Sequence, residues 1–355
     1  MNGYRRKWRP RALVIAVFGS LLWPTMPAQS QTAPAAIDDF LASPWKRFSS
    51  DKVRRSWRII VLSNIAELCA NRWHRKKISH PKAKKCAGRV VRLAMDRRVR
   101  PFSTAVQRSR ITDHGLYWSH LNVALGAFKH ITGHDDYRKL NARITNHLQT
   151  RSLSEPTHHV PSYPGTTTRW PADQAVALYS VFLYDRNYGT QHIDEPLRKW
   201  LRYMQGPGMN NSLGLPKAEV TGVSKLARHP RGSAISWTVR YLATISPPSA
   251  RTVWKQYQKH FRISVGPITG FREWPPGVAR KADLHSGPIV HNIGAAATGL
   301  AIGASQAVGD SDTLTALLRT ASSVRALNDP RFSRVGNSIL SIALEENGKS
   351  LITWW

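Results

Sequence analysis

Apolar residues recur at the i, i+3, i+4 and i+7 spacing of a helix face over residues 57–70, 89–95, 117–130, 172–183, 233–243 and 289–306. Strand-like alternation is nearly absent, so the pattern predicts an all-α body. The later segments share one plan. A Gly/Pro-rich loop with polar and aromatic residues leads into a helix of small and apolar residues, then a short turn, then a more amphipathic helix. YPGTTTRWPAD runs into QAVALYSVFLYDR, turns at NYGTQHID and continues as EPLRKWLRYM. FREWPPGVARKADLHSGP likewise precedes VHNIGAAATGLAIGASQ. Gly115, Pro171, Gly232 and Gly287 mark the expected helix starts, 56, 61 and 55 residues apart. That period fits two helices and two loops, the signature of a stacked or circular helical array.

An earlier hairpin spans 53–95 and a last helix 336–345, giving about five and a half hairpins, with 36–49 able to supply the missing outer helix. An open solenoid and a closed ring both satisfy this count. The first helix of each pair is richer in small and apolar residues, as an inner layer demands. Loops before these helices are long and chemically loaded, whereas the turns after them are short. That asymmetry favours a ring with one functional rim.

The first 30 residues stand apart. Arg5, Arg6, Lys7, Arg9 and Arg11 precede an apolar run at 12–23, followed by prolines and the small residues Ala28 and Ser30. This is the order of a secretory leader, and the run is short for a membrane span. The expected organisation is a leader over 1–30, a linker and N-terminal helix over 31–49, and a toroid domain over 50–355. The product is then periplasmic or secreted, with an uncleaved N-terminal anchor as the alternative.

Net charge is +31, of which the leader supplies five positive charges, leaving +26. Such a field attracts anionic partners. For an exported protein these are glycans, other anionic polymers or lipid head groups, with peripheral membrane association as one form, and nucleic acid is not expected. General Arg enrichment for solubility is the plain alternative. Residues 72–85 hold seven Lys or Arg and no acid, either an anion-docking patch or a solvated loop. Cys69 and Cys86 are the only cysteines and flank this loop. Export favours one disulfide tying the two helices of a hairpin, and no zinc-type spacing accompanies them. No cofactor is expected, since neither P-loop, dinucleotide fingerprint, GxSxG elbow nor HExxH is present.

With this hairpin plan over residues 50–345, the chain resembles the six-hairpin (α/α) toroid superfamily, which includes glycoside hydrolases, polysaccharide lyases, sugar epimerases and linalool dehydratase-like enzymes. The resemblance is one of plan, without a motif diagnostic of one family. It implies an (α/α) toroid of about six helical hairpins, with a site among the loops before the inner helices.

Those loops offer Asp113, His114 and Tyr117; then Tyr163, Arg169, Trp170 and Asp173; then Arg228, His229 and Arg231; then Arg272, Glu273, Trp274, Asp283, His285 and Ser286. Glu273 and Asp283 are the sharpest pair, because glycoside hydrolysis needs one protonated carboxyl and one carboxylate. Glu273 is the expected acid and Asp283 or Asp173 the base. Trp170 and Trp274 are expected to stack on sugar rings. Tyr117, Tyr163, Arg169, Arg231, Arg272 and His285 are the further substrate-binding candidates, and Tyr163 or His285 would serve a lyase or epimerase. The plain readings are that Asp283 and Asp173 cap helices and that Glu273 pairs with an arginine. Two other classes of function remain open at this point: a non-catalytic scaffold for anionic polymer or lipid, and a dehydratase or isomerase acting on a small alcohol.

Overall fold

The computed structural model describes residues 33–102, 111–221, 227–278, 280–326 and 336–355; the expected leader lies outside the described residues. Thirteen helices dominate the described residues. They are α1 (Ala33–Ala42), α2 (Pro44–Ser50), α3 (Arg55–His74), α4 (His80–Ala94), α5 (Gly115–Thr132), α6 (Arg138–Ser154) and α7 (Pro171–Tyr188). After these come α8 (Asp194–Gln205), α9 (Gly232–Ile245), α10 (Pro247–Phe261), α11 (Ala295–Val308), α12 (Ser311–Ala326) and α13 (Ile339–Ser350). Proline stands in the first turn of α4, α7 and α10, where its missing N–H costs nothing.

Alternate helices differ in burial as their composition requires. Every residue of α3 from Val61 to Asn71 is buried, and every residue of α5 from Gly115 to Phe128. By contrast α8 buries only Pro196, Trp200 and Met204, the stripe of an outer amphipathic helix. The buried helices pack in sequence, α3 on α5, α5 on α7, α7 on α9, α9 on α11 and α11 on α13, and α13 packs in turn on α3. The helix α1 lies against α13 and α4.

Gly115 and Gly232, two of the expected helix starts, are the first residues of α5 and α9. Each donates its N–H to the loop before the next buried helix: Gly115 to the Pro161 carbonyl at 2.9 Å and Gly232 to the Glu273 carbonyl at 2.8 Å. A Cβ at these positions would meet the Pro161 oxygen at 2.5 Å and the Arg272 oxygen at 2.0 Å. Glycine is therefore what allows each helix start to lie against its neighbouring loop.

Among the described residues three short antiparallel hairpins interrupt the helices: β1 (Met209–Asn210) with β2 (Leu215–Pro216), β3 (Arg262–Val265) with β4 (Ile268–Phe271), and β5 (Ile289–Val290) with β6 (Ile293–Gly294). The helix expected over 289–306 is corrected accordingly. His291 and Asn292 both take left-handed φ, 48° and 65°, which makes the tight turn of a hairpin, and α11 begins only at Ala295. The start expected at Gly287 is displaced for the same reason. Cys69 and Cys86 form one disulfide joining α3 to α4. Among the described residues no helix is long and apolar enough to cross a membrane.

Candidate functional site

Strand β4 delivers Glu273 to the start of α9. Arg272 donates its N–H to the Phe261 carbonyl and bridges to Ile293 of β6, so the backbone beside Glu273 is held from both sides. Arg231, immediately before α9, then takes both loop acids. Its Nε donates to Glu273 Oε1, and its Nη2 donates to Asp283 Oδ1 at 2.6 Å. Ser233 Oγ adds a second donor to Glu273 Oε1 at 2.6 Å. The guanidinium lies 5.1 Å from the Trp274 ring centroid, a cation–π distance.

The two carboxyls sit in opposite environments. Glu273 has no exposed side-chain surface, and its Oε2 is buried without a hydrogen-bond partner among the described residues. Burial pushes its pKa up, and the Arg231 and Ser233 contacts do not cancel that cost. Asp283 keeps 45% of its side-chain surface. Partial burial raises its pKa, but hydrogen bonds from Arg231 and from the Ser286 and His285 amides outweigh this and hold it below the usual carboxylate range. Those amides lie at 2.8 Å each, so Asp283 closes a tight turn where a helix cap was expected.

The loop carrying Asp283 reaches α3 as well. His285 meets Trp57 edge-on at 5.4 Å, and burial followed by the Arg231 charge lowers its pKa. Arg231, Glu273, Trp274, Asp283 and His285 thus converge.

A second group belongs to the loop before α7. Asp173 sits in the first turn of α7 and accepts from Ser162 Oγ at 2.5 Å. Burial of its carboxyl raises the pKa to about 6, with the Ser162 bond opposing. Tyr163 is 37% exposed and meets Trp170 edge-on at 5.9 Å. Burial and the neighbouring Asp173 push the Tyr163 hydroxyl up to about 12, so it remains a neutral donor. The remaining candidates are committed elsewhere. Arg169 spends its guanidinium on Glu155 at 2.9 Å and on the Thr166 carbonyl at 2.7 Å, which braces its own loop. Tyr117 is buried, and its hydroxyl donates to the Ala94 carbonyl at 3.2 Å. Arg272 is half-buried and contributes through its backbone.

Between the buried helices lies a polar group absent from the sequence reading. Glu67 of α3 accepts from Arg240 of α9 at 2.7 Å, Tyr179 of α7 at 2.8 Å and Asn347 of α13 at 3.1 Å. Asn347 also donates to Asn64, and Asn71 donates to Asn347, both at 2.9 Å. His120 of α5 bonds Ser63 at 2.7 Å, and burial followed by the Arg240 charge lowers its pKa to about 3. One signal was present: Asn64, Glu67 and Asn71 follow i, i+3, i+7, a polar stripe in the stretch 61–71, whose other residues are apolar apart from Ser63. Among the described residues no group of three or more His, Cys, Asp or Glu is placed to hold a metal ion.

Compared with known proteins, the chain matches no family model, and no curated protein is similar to it in sequence.

Proposed function

We propose that the protein is an exported (α/α) toroid enzyme of six hairpins that acts on an anionic glycan. The cyclic order of packing among α3, α5, α7, α9, α11 and α13 supports the ring over an open solenoid. One observation carries the enzymatic reading: a single guanidinium, Arg231, joins two carboxyls whose pKa values are driven apart. Environments that separate two acids in this way define acid and base roles. Glu273, whose pKa burial raises, is assigned as the proton donor to the glycosidic oxygen, and exposed Asp283, whose pKa is lowered, as the carboxylate that activates water. Asp173, with its pKa of about 6, is the second acid of the same rim. Trp170 and Tyr163 supply aromatic surface for sugar rings, whereas Trp274, expected to stack as well, is buried against the Arg231 guanidinium and has no free face to offer. Of the two candidate bases for elimination, the Tyr163 hydroxyl, at about 12, is a poor one, which leaves His285 as the base a lyase would use.

Turnover of neutral and uronate-containing glycans by wild type, Glu273→Gln and Asp283→Asn tests the proposal. The expected result is hydrolysis that each substitution lowers by about 10²–10⁴-fold, the range for loss of one acid or base. Unsaturated products would redirect the assignment to a lyase. Binding without turnover in all three proteins would overturn the enzyme reading in favour of a scaffold for anionic polymer.

A further inference from the structure

The far end of the molecule carries a different constellation. Trp57, near the start of α3, touches His285 at the rim, whereas α3 ends at His74, about 25 Å further along by helical rise. The turn that follows exposes Arg75, Lys76 and Lys77, with exposed Lys82 and Lys85 beginning α4. Its backbone is fixed: the amide of Lys76 donates to Trp73 O at 2.8 Å, that of Lys77 donates to Arg72 O at 2.7 Å, and the Cys69–Cys86 disulfide ties the flanking helices.

Arg75 also holds a second segment beside this turn. Its Nε and Nη2 donate to the carbonyls of Ser350 and Leu351 at 2.7 and 2.8 Å. Trp354 then inserts, stacking on His130 at 4.9 Å and donating to Asn71 Oδ1 at 2.8 Å. The next ring, Trp355, stays 40% exposed, with the Arg186 guanidinium 5.3 Å from its centroid. Ile352 is 43% exposed. Two apolar side chains therefore stand exposed on a segment held by Arg75 and flanked by Arg186.

We propose that this end docks on a membrane surface rich in anionic head groups. Lysine and arginine gain there from the surface potential. An exposed indole and an aliphatic side chain gain from entering the interfacial layer, where tryptophan is favoured. A soluble polyanion rewards the cations alone and leaves Ile352 and Trp355 unexplained. The inference is independent of the rim chemistry, and it orients that rim away from the lipid.

Co-sedimentation of the full chain with phosphatidylcholine vesicles, with and without phosphatidylglycerol, tests this. The variants are Lys76→Glu with Lys77→Glu, Ile352→Ser with Trp355→Ser, and a charge-matched pair elsewhere on the surface, Arg280→Glu with Lys281→Glu. Wild type and the Arg280/Lys281 pair should bind the phosphatidylglycerol vesicles alike, and each pair at the docking end should bind about tenfold more weakly. Equal loss in the Arg280/Lys281 pair would reduce the effect to overall charge and overturn the proposal. Wild-type binding by the Ile352/Trp355 pair would also overturn it, and would point to a soluble polyanion.

Discussion

Asp173 carries a titration whose sign can be worked out. In an unfolded chain such a carboxyl ionises near 3.9. In the fold it does so at about 6, because burial penalises the charge. Between those values the folded protein holds a proton that the unfolded chain has released, so stability falls as pH rises through this window and the cost is constant above it. Asp173→Asn removes that slope. From pH 4 to pH 7 the variant should gain on wild type by about 1–2 kcal/mol, a figure discounted for residual solvent access. Urea unfolding at both pH values measures it, and a constant difference between the two proteins would refute it. The sequence shows Asp173 behind Trp170 and Pro171, and so its place in the first turn of a helix. It does not show Ser162, eleven residues away, closing over the carboxyl. Glu67 is hidden for the same reason on a larger scale, since Arg240 and Asn347 stand 173 and 280 positions from it.

At the scale of elements, the starts of α5, α7 and α9 are legible because Gly115, Pro171 and Gly232 answer local steric demands that a sequence records directly. The start of α11 is not. The stretch 289–294 is apolar in both a helical and an extended reading, and only the left-handed pair His291–Asn292 makes it a hairpin. That hairpin and β4 together hold Glu273, so the loop richest in candidate chemistry is also where periodicity says least. Gly232 joins this loop to α9. A Cβ there falls 2.0 Å from the Arg272 carbonyl oxygen, a backbone atom that cannot turn aside. Gly232→Ala must displace the strand that carries Glu273, which should cost about 1–3 kcal/mol, the usual range for forced overpacking. Thermal unfolding measures the loss. Glycan turnover should fall with it, and full stability with full activity would show that the contact between the Gly232 helix start and the 272–273 backbone does not position the site.

For the whole molecule, the loaded loops and short turns suggest in the sequence alone that buried helices share one polarity, but nothing local shows that the last of them meets the first. Asn347 makes that contact chemical. From α13 it bonds Asn64, Glu67 and Asn71 of α3, on a carboxylate that also binds α7 and α9. In an open solenoid, terminal hairpins fray separately, because each repeat leans only on its neighbours. In a ring, loosening α13 exposes both α11 and α3. Asn347→Ala leaves buried polar groups on α3 without partners and should cost about 2–4 kcal/mol, since several such groups are stranded at once. The discriminating observation is where protection from hydrogen exchange is lost. Amides of α3 should open together with those of α13 although some 280 residues separate them, and urea should still give one transition by both circular dichroism and tryptophan fluorescence. Loss confined to α13, or two separated transitions, would mean that the helices form an open array and that Glu67 gathers its partners without closing a ring.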